Sequence, residues 1–289
     1  MSCFCPLFEN GGENEHRPWI FGNQTLTIYR ELVHLHYELN PYLLSGGAIG
    51  KAQNLSQIEP LGFDIGGVIL TSFDYLLGLP RRGNIFVSPI VEAGIASKKV
   101  HFPEHGETWI NFWTNASYSG GAEHTVQTPI NVFTAFKRAG ALFALSVDPS
   151  NAYSLHRNTL WSDAERAHCA AHKCLTLHAH GLRATDTANV HEWKGNGLRA
   201  VYAHNAAAST LEMRVTATHS VTLRILLRGV ALSEKAHEVT LLGSKSSRAH
   251  YTNTKHFYSS ENNELDLLIP KEDCESGFIL KINGIKSLL

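Results

Sequence analysis

The chain has 289 residues, 43% of which are hydrophobic, and a formal net charge of −1 at pH 7. The hydrophobic fraction is sufficient for the core of one large domain or of two smaller ones, and the near-neutral charge argues against nucleic acid or an acidic membrane surface as a partner. The sequence also lacks the run of about 18 apolar residues that a helix needs to span a bilayer.

Residues 1–22 are rich in polar residues and glycine and show no regular hydrophobic pattern. One interpretation is a disordered start, which is common at chain ends. The other is that the chain begins inside a domain. The apolar segment Pro18–Phe21 favours this second interpretation, because a free tail is seldom so hydrophobic.

A helix is predicted over Gln24–Leu44, with Asn23 as its N-cap residue. The apolar residues of its expected buried face recur every three or four positions, at Ile28, Leu32, Leu35, Leu39 and Tyr42. Pro41 is expected to kink the helix, and Ser45–Gly47 is expected to end it. His36 lies beside the apolar face, where we expect a hydrogen-bonded packing residue rather than a metal ligand.

Short apolar segments follow between residues 72 and 147, separated by glycine, proline and asparagine. The expected strands include Asn84–Val91, Ser97–Phe102 and Thr108–Trp113, and a longer apolar segment lies at Pro129–Val147. Strands this short with such turns predict an antiparallel β-sandwich.

Alternating apolar and polar residues return after a linker and a short predicted helix at Ser162–His172. The alternation runs from Cys174–His178 to Phe278–Ile282 and predicts about seven or eight strands. That number is sufficient for a second two-sheet domain.

The five cysteines form an odd and scattered set, which does not indicate a disulfide framework. Two of them lie close to four histidines, in the order His168, Cys169, His172, Cys174, His178 and His180. Structural zinc sites usually contain two close ligand pairs, and the spacing here does not match that pattern. We therefore assign no metal site and expect these side chains to form a solvated face.

Three Asn-X-Ser/Thr sequences begin at Asn23, Asn54 and Asn115. Such tripeptides are the acceptors of N-linked glycosylation, and a chain of this composition contains about two or three by chance. By themselves they indicate no cellular compartment.

Several stretches in a fixed order resemble the C-terminal half of glycoside hydrolase family 31. They are ENGG-x-x-EHRPW at Glu9–Trp19, YRELVHLHYELNPYL at Tyr29–Leu43, and DYLLG followed by NIFVSPIVEAG within Asp74–Gly94. The later stretches TWINFWTNASYSGG and TPINVFTAFKRAGAL are also similar to strands of that family, the second through Arg138–Gly140. The resemblance covers residues 4–147, and the remaining residues are similar to the family only as a β-sandwich.

In that family a (β/α)8 barrel precedes two β-sandwich domains. The resemblance therefore implies a mainly β chain, in which the C-terminal strand and helix of a (β/α)8 barrel are followed by two antiparallel β-sandwich domains. The implied barrel remnant covers residues 1–71, with a strand and loop at Phe4–Trp19 and the helix at about 24–44. The proximal sandwich would cover residues 72–150 and the distal sandwich residues 151–289.

The implied parent activity is α-glucosidase-like hydrolysis of O-glycosyl bonds with retention of configuration and without a cofactor. Retention requires two carboxyl groups about 5–5.5 Å apart, and the resemblance places the family's two catalytic aspartates on barrel strands outside this chain. We therefore assign no catalytic residue and expect the chain alone to be inactive. Glu9, Glu13 and Glu15 share a glycine-rich loop, where solvated carboxylates are expected.

Asn10, His16 and Arg17 are the candidate substrate-binding residues, because loops that follow barrel strands line the sugar pocket of such enzymes. Their side chains would donate hydrogen bonds to the hydroxyl groups of an α-glycoside, with Trp19 packed behind them. A structural interpretation is open beside this one, in which Glu15 pairs with Arg17 and the segment that follows wedges the start of the helix.

An alternative from another class is a non-catalytic carbohydrate-binding or scaffolding protein built on the two sandwiches. It requires an exposed aromatic platform at Trp109 and Trp113, although tryptophans in this pattern more often belong to a sandwich core. In the incomplete-enzyme interpretation, the apolar face of the Ile28–Tyr42 helix has no barrel partner. Exposed apolar surface promotes association, so residues 1–45 are expected to be protease-sensitive or to drive self-association.

Overall fold

The computed structural model describes residues 2–9, 11, 15–61, 75–77, 83–103, 106–147, 163–172, 174–191, 197–217, 221–233, 238–243, 256–269 and 277–289. Among these residues, a first compact unit extends to Arg138 and a second begins at Ala139. Strands predominate in both units, which confirms the predicted mainly β fold. None of the helices in this part of the chain has the length and apolar character needed to cross a membrane.

The long helix α1 spans Asn23–Gln53 and extends beyond its predicted end. Gly22, rather than Asn23, is the N-cap residue, and no side chain caps this end of the helix. The helix ends at Asn54, which adopts a left-handed conformation with φ 55°. Asparagine tolerates that conformation better than most residues.

The predicted stop at Ser45–Gly47 is wrong because the glycines there and in the next turn serve close packing. Gly46 is buried within the helix. At Gly50, an added Cβ would lie 2.8 Å from the backbone oxygen of Leu55, so the returning chain approaches the helix too closely for any larger residue.

One face of α1 is buried in the first unit. Leu35 and Leu39 are almost fully enclosed, as is Tyr42, whose hydroxyl accepts a hydrogen bond from the backbone N–H of Asn84 at 3.3 Å. Ile28, nearer the start of the helix, is half-buried. From Leu35 onwards this apolar face is therefore covered within the first unit, and its lack of a barrel partner stays a prediction.

The described strands of the first unit are β1 (Ile58–Pro60), β2 (Tyr75–Leu77), β3 (Ile85–Val87), β4 (Ser97–His101), β5 (Thr108–Asn111), β6 (Ser117–Ser119), β7 (Glu123–Gln127) and β8 (Ala135–Arg138). They form an antiparallel sheet in the order β1-β2-β3-β8-β5-β6 and a separate β4–β7 pair. Phe86, Trp109 and Phe136 of the larger sheet share one buried cluster with Val100 and Val126 of the pair. The two sheets thus pack face to face, as a sandwich requires.

The second unit contains α2 (Asp163–His172) and the strands β9 (Phe143–Ser146), β10 (Leu175–His180), β11 (Thr185–His191), β12 (Gly197–Asn205), β13 (Thr210–Ala217), β14 (Leu223–Arg228), β15 (Val230–Leu232), β16 (Glu238–Gly243), β17 (His256–Ser259), β18 (Glu264–Ile269), β19 (Phe278–Asn283) and β20 (Ile285–Ser287). Two five-stranded sheets, in the orders β17-β18-β14-β10-β9 and β11-β12-β13-β19-β16, enclose one aliphatic core. β10 and β14 are parallel, because the chain crosses to the other sheet for β11–β13 and then returns in the same direction.

Strand β9 lies in the second unit, although the sequence analysis placed its residues in the proximal sandwich. Its backbone pairs with β10, with Leu145 opposite Thr176. Gly140 makes the turn that precedes β9 with φ 70°, and its N–H donates to the carbonyl oxygen of His180 at 2.8 Å. Among the described residues the second compact unit thus begins at Ala139, and the three-part division of the chain stays a prediction.

Cys169 and Cys174 form a disulfide that the sequence analysis did not predict. The bond connects α2 to the residue before β10, and both cysteines are buried beside Val147 and Leu268. Because the two sulfurs are bonded to each other, neither is a thiolate that can bind a metal. Cys274 and the side chains of His168 and His172 lie outside the described residues.

The predicted solvated face at His178 and His180 is wrong. Both side chains are buried, in a strand that has a neighbour on each side in its sheet. The His178 ring donates from Nδ1 to the carbonyl oxygen of Leu226 at 3.2 Å, as a buried polar group requires.

Candidate substrate-binding loop

The segment that precedes α1 is anchored to the first unit by aromatic side chains. Phe4 is buried, with its ring centroid 5.8 Å from that of Phe112 and 6.5 Å from that of Trp113. Phe8 lies 5.8 Å from the ring of Tyr29 on α1. The loop that carries the candidate residues is thus attached to packed structure at its start.

The described residues of Phe4–Trp19 form no strand, whereas the resemblance implied one. Single 3-10 turns at Ser2–Phe4 and Pro18–Phe21 flank an irregular loop. A strand is stabilised by hydrogen bonds to a neighbouring strand. His36 instead secures the segment by donating from Nδ1 to the Cys3 carbonyl oxygen at 3.0 Å, which confirms its predicted packing role.

Of the three candidate residues, Asn10 lies outside the described part of the chain. His16 is half-buried and Arg17 is exposed. Arg17 donates from Nε to the Glu15 carboxylate at 2.7 Å and also from Nη2, and its backbone N–H donates to the same carboxylate at 2.9 Å. The pair of Glu15 and Arg17 is therefore present, on the surface of the loop.

These hydrogen bonds determine the charge of Glu15. The guanidinium of Arg17, and then its backbone N–H, hold the pKa of the Glu15 carboxyl below its usual value. A carboxylate with a lowered pKa is ionised at neutral pH and cannot donate a proton to a leaving group. Glu15 is thus suited to orienting Arg17, and it is unsuited to general acid catalysis.

Trp19 does not pack behind the loop as predicted, since 60% of its surface is exposed. The adjacent Pro18 is buried instead, at the first position of the 3-10 turn. Proline is favoured there because its fixed φ angle suits the first turn of a helix and its missing N–H needs no partner.

The aromatic platform required by the carbohydrate-binding alternative is absent at Trp109. That side chain is fully buried, and its indole N–H donates to the carbonyl oxygen of Pro103 at 3.0 Å. Trp113 is half-buried and packs against Phe133, with ring centroids 5.2 Å apart. Both rings contribute to packing in the first unit, which agrees with the core role that such tryptophans usually have.

The cations of the TPINVFTAFKRAGAL stretch also have a structural role that the sequence analysis did not assign. Lys137 is buried with its ammonium 5.6 Å from the ring centre of Phe112. The Arg138 guanidinium lies 5.1 Å from the ring centre of Trp109 and 3.5 Å from the Glu107 carboxylate. Cation–π contacts of this kind stabilise buried charge. The aromatic residues clustered around this stretch of the sequence were the signal that could have predicted the role of the two cations.

A second apolar face of α1 is exposed. Val33, Tyr37 and Leu44 are separated by four and seven positions, so they share one side of the helix. Trp19 and Phe21, just before the helix, are also more than half exposed. The helical spacing of these residues was visible in the sequence, but the sequence analysis considered only the apolar stripe at Leu35 and Leu39 on the opposite side of the helix.

Each unit has a cavity lined by described residues. The groove in the first unit has a volume of about 530 Å³, and Glu92 is the carboxylate among its mainly apolar described lining. The pocket in the second unit has a volume of about 680 Å³ and a basic lining that includes Arg183 and Lys286. Neither described lining supplies the two carboxyl groups of a retaining glycosidase.

Residues 75–143 match the family model for the glycosyl hydrolase family 31 C-terminal domain. Among curated proteins, a probable glucan 1,3-alpha-glucosidase from Oryza sativa subsp. japonica is 24% identical over 148 residues, covering 49% of this chain and 16% of that protein. A sulfoquinovosidase from Agrobacterium fabrum is 27% identical over 145 residues, covering 48% of this chain and 21% of that protein. The chain thus spans a small part of the length of these relatives.

Solved structures share the fold over nearly all of the chain. A cycloalternan-forming enzyme from Listeria monocytogenes, solved with a pentasaccharide substrate, superposes with a TM-score of 0.75 at 16% identity, covering 98% of this chain and 27% of that one. A GH31 dextranase from Flavobacterium johnsoniae, complexed with glucose, gives a TM-score of 0.69 at 18% identity, covering 94% and 34%. At these identities the likeness establishes the fold.

Proposed function

Since this chain carries the C-terminal domain of glycosyl hydrolase family 31, we propose that it is the C-terminal portion of a retaining glycoside hydrolase with α-glucosidase-like activity. In this proposal the two catalytic aspartates belong to barrel strands outside the present residues. The chain supplies the last barrel helix, the loop before it and the supporting sandwiches. Its substrate partner is an α-linked glycoside.

The exposed apolar face of α1 is the observation that carries the proposal. Val33, Tyr37 and Leu44 stand on one side of the helix with 38%, 51% and 55% of their surfaces exposed, while the opposite side at Leu35 and Leu39 is enclosed. A helix that is apolar on two sides requires cover on both. The adjoining parts of a barrel provide that cover in a (β/α)8 enzyme.

The carboxylates of the described residues support the location of catalysis elsewhere. Many of them are paired with cations, as in Glu15–Arg17, Glu107–Arg138, Glu123–Lys99, Glu212–Lys281, Glu264–Arg228 and Asp266–Arg224. The hydrogen bonds from Arg17 and from Lys281 lower the pKa values of Glu15 and Glu212 respectively, so these two carboxyl groups are held in the ionised form. A general acid in a retaining glycosidase needs the reverse, which is a carboxyl group that keeps its proton near neutral pH.

His16 and Arg17 are proposed to bind hydroxyl groups of the sugar, together with Asn10. Arg17 presents planar donors on a loop that Phe4, Phe8 and Pro18 attach to the first unit. The hydrogen bond that Arg17 donates to Glu15 orients the guanidinium before substrate arrives, and such preorganisation lowers the entropic cost of binding. These residues position substrate and take no part in bond cleavage.

Assay of the full chain on aryl α-glucosides tests the catalytic part of the proposal. We expect no turnover. Turnover that disappears in Glu9→Gln or Glu15→Gln would place the chemistry in this loop and overturn the proposal.

The proposed role of Arg17 in substrate binding is tested in the full-length enzyme that contains this chain. Arg17→Ala is expected to raise KM with a smaller change in kcat, because it removes binding common to the ground state and the transition state. Arg30→Ala is the matched control, since Arg30 is an exposed arginine on α1 outside the loop. Equal KM values for both variants would exclude Arg17 from substrate binding.

A further inference from the structure

Three acceptor sequences for N-linked glycosylation lie on the surface of the first unit. They are Asn23-Gln24-Thr25, Asn54-Leu55-Ser56 and Asn115-Ala116-Ser117. The asparagine and the hydroxyl residue are exposed in all three. A glycosylated asparagine must lie on the surface, so the fold is compatible with each acceptor and the local geometry must distinguish them.

Asn115 occupies the connection between β5 and β6 in a left-handed conformation with φ 57°. The connection is held by its backbone, because the Asn115 N–H donates to the Asn111 carbonyl oxygen at 3.1 Å and the Asn111 N–H donates to the Ala116 carbonyl oxygen at 2.9 Å. Within the described structure, neither the Asn115 side-chain amide nor the Ser117 hydroxyl makes a hydrogen bond. Both groups of this acceptor are therefore presented to solvent.

In the other two acceptors the hydroxyl group is engaged in a hydrogen bond to the backbone of the chain. Thr25 donates from Oγ1 to the carbonyl oxygen of Phe21 at 3.2 Å, and Asn23 is already the first residue of α1. Ser56 donates from Oγ to the carbonyl oxygen of Ile58 at 2.6 Å. Since the hydroxyl group is part of the recognised tripeptide, the geometry favours Asn115 over these two sites.

The disulfide in the second unit is an independent observation that points to the same kind of compartment. Cys169 and Cys174 are bonded and buried, and structural disulfides form and persist in oxidising compartments. Cys3 can remain a free thiol in such a compartment, because its side chain is almost completely buried and burial raises its pKa to about 12. Its reactive thiolate form is therefore rare.

We propose that Asn115 carries an N-linked glycan and that the chain folds in an oxidising, glycosylating compartment. The Asn115 amide nitrogen attacks C1 of a lipid-pyrophosphate-linked oligosaccharide. A nitrogen–carbon bond forms, the bond from C1 to the pyrophosphate oxygen breaks, and the amide proton passes to a base of the transferase. The thiols of Cys169 and Cys174 give a pair of electrons and their protons to the disulfide of a thiol oxidoreductase. This proposal is independent of the proposed glycosidase function.

The test uses protein isolated from the cells that produce it, with free thiols alkylated at lysis. Peptide N-glycosidase F in heavy-oxygen water converts a glycosylated Asn115 into labelled aspartate, which peptide mass spectrometry detects. We expect this label at Asn115 in most copies, less or none at Asn23 and Asn54, and a linked Cys169–Cys174 peptide. An unmodified Asn115, or alkylation of both cysteines, would overturn the proposal.

Variants of Ser117 separate glycosylation from effects on folding. Ser117→Ala destroys the acceptor and is expected to abolish the label at Asn115, whereas Ser117→Thr retains the acceptor and the label. Both variants should unfold at the same temperature after enzymatic removal of glycans, because the Ser117 hydroxyl makes no described bond. Persistence of the label at Asn115 in Ser117→Ala would show a modification of a different type and would contradict the proposal.

Discussion

Replacement of leucine by alanine is expected to reduce stability strongly on the buried face of α1 and only slightly on its exposed face. Leu39 is fully buried and Leu44 is 55% exposed, and both are leucines on the C-terminal half of the helix. Replacement of a buried leucine by alanine removes apolar contacts and leaves a cavity, at a cost of about 2–5 kcal/mol. Leu44→Ala is expected to change stability by no more than about 0.5 kcal/mol, as for most surface substitutions.

Hydrogen exchange of the α1 backbone measures this difference directly, because it reports the free energy of local opening. For Leu39→Ala, exchange over the C-terminal half of α1 should accelerate roughly 30-fold to several thousand-fold, given that about 1.4 kcal/mol corresponds to a factor of ten. Leu44→Ala serves as the matched control and should exchange like the unsubstituted chain. Limited proteolysis should follow the same order, with new cleavage inside α1 for Leu39→Ala alone.

Equal and small effects of the two substitutions would refute the reasoning, because they would show that α1 is not packed on the first unit. Equal and large effects would refute the proposed function instead. In that case Leu44 would already be covered in the present chain, and the outer face of α1 would not be the surface that a barrel covers.

Three further predictions concern the second unit. Arg224→Met should cost about 3–5 kcal/mol in urea denaturation, because Asp266 loses the guanidinium that binds it at 2.8 and 3.0 Å in the core, and adding Asp266→Leu should restore most of the loss. Gly140→Ala should cost more than about 1 kcal/mol in the same assay, since φ is 70° and the new Cβ would lie 2.8 Å from a backbone nitrogen. Burial raises the pKa of Tyr202 above its usual value of about 10, so the unfolded chain releases this proton first and stability should fall as pH rises above about 10. Tyr202→Phe should flatten that dependence, and an unchanged slope would contradict this assignment.

Several features were predictable from the sequence because they depend on residues that are close in the chain. The period of Leu35 and Leu39 identified the buried face of α1, since side chains four positions apart share one side of a helix. The alternation of Leu211, Met213 and Val215 identified β13 in the same way. The stretches between Glu9 and Leu142 together indicated the resemblance to the family, because they are specific in combination and not singly.

The candidate site was predictable only in part. The sequence placed Arg17 and Glu15 in one loop, and their separation of two positions already allowed the observed pair. It did not show that Trp19 is exposed while Pro18 is buried. That difference depends on which side of the 3-10 turn meets the rest of the first unit, and local sequence carries no information about this.

The remaining features were decided by tertiary structure, because they depend on segments distant in the chain. α1 continues through its glycines and ends at Asn54. Gly50 is part of the helix because the backbone at Leu55 packs so closely against it that a larger residue would not fit. The buried His178 finds its hydrogen-bond partner, the carbonyl oxygen of Leu226, on β14, whose sequence lies more than forty residues away. The disulfide forms because folding brings the Cα atoms of Cys169 and Cys174 to 4.9 Å. Spacing along the chain does not determine such a distance, because it is set by the packing that surrounds both residues.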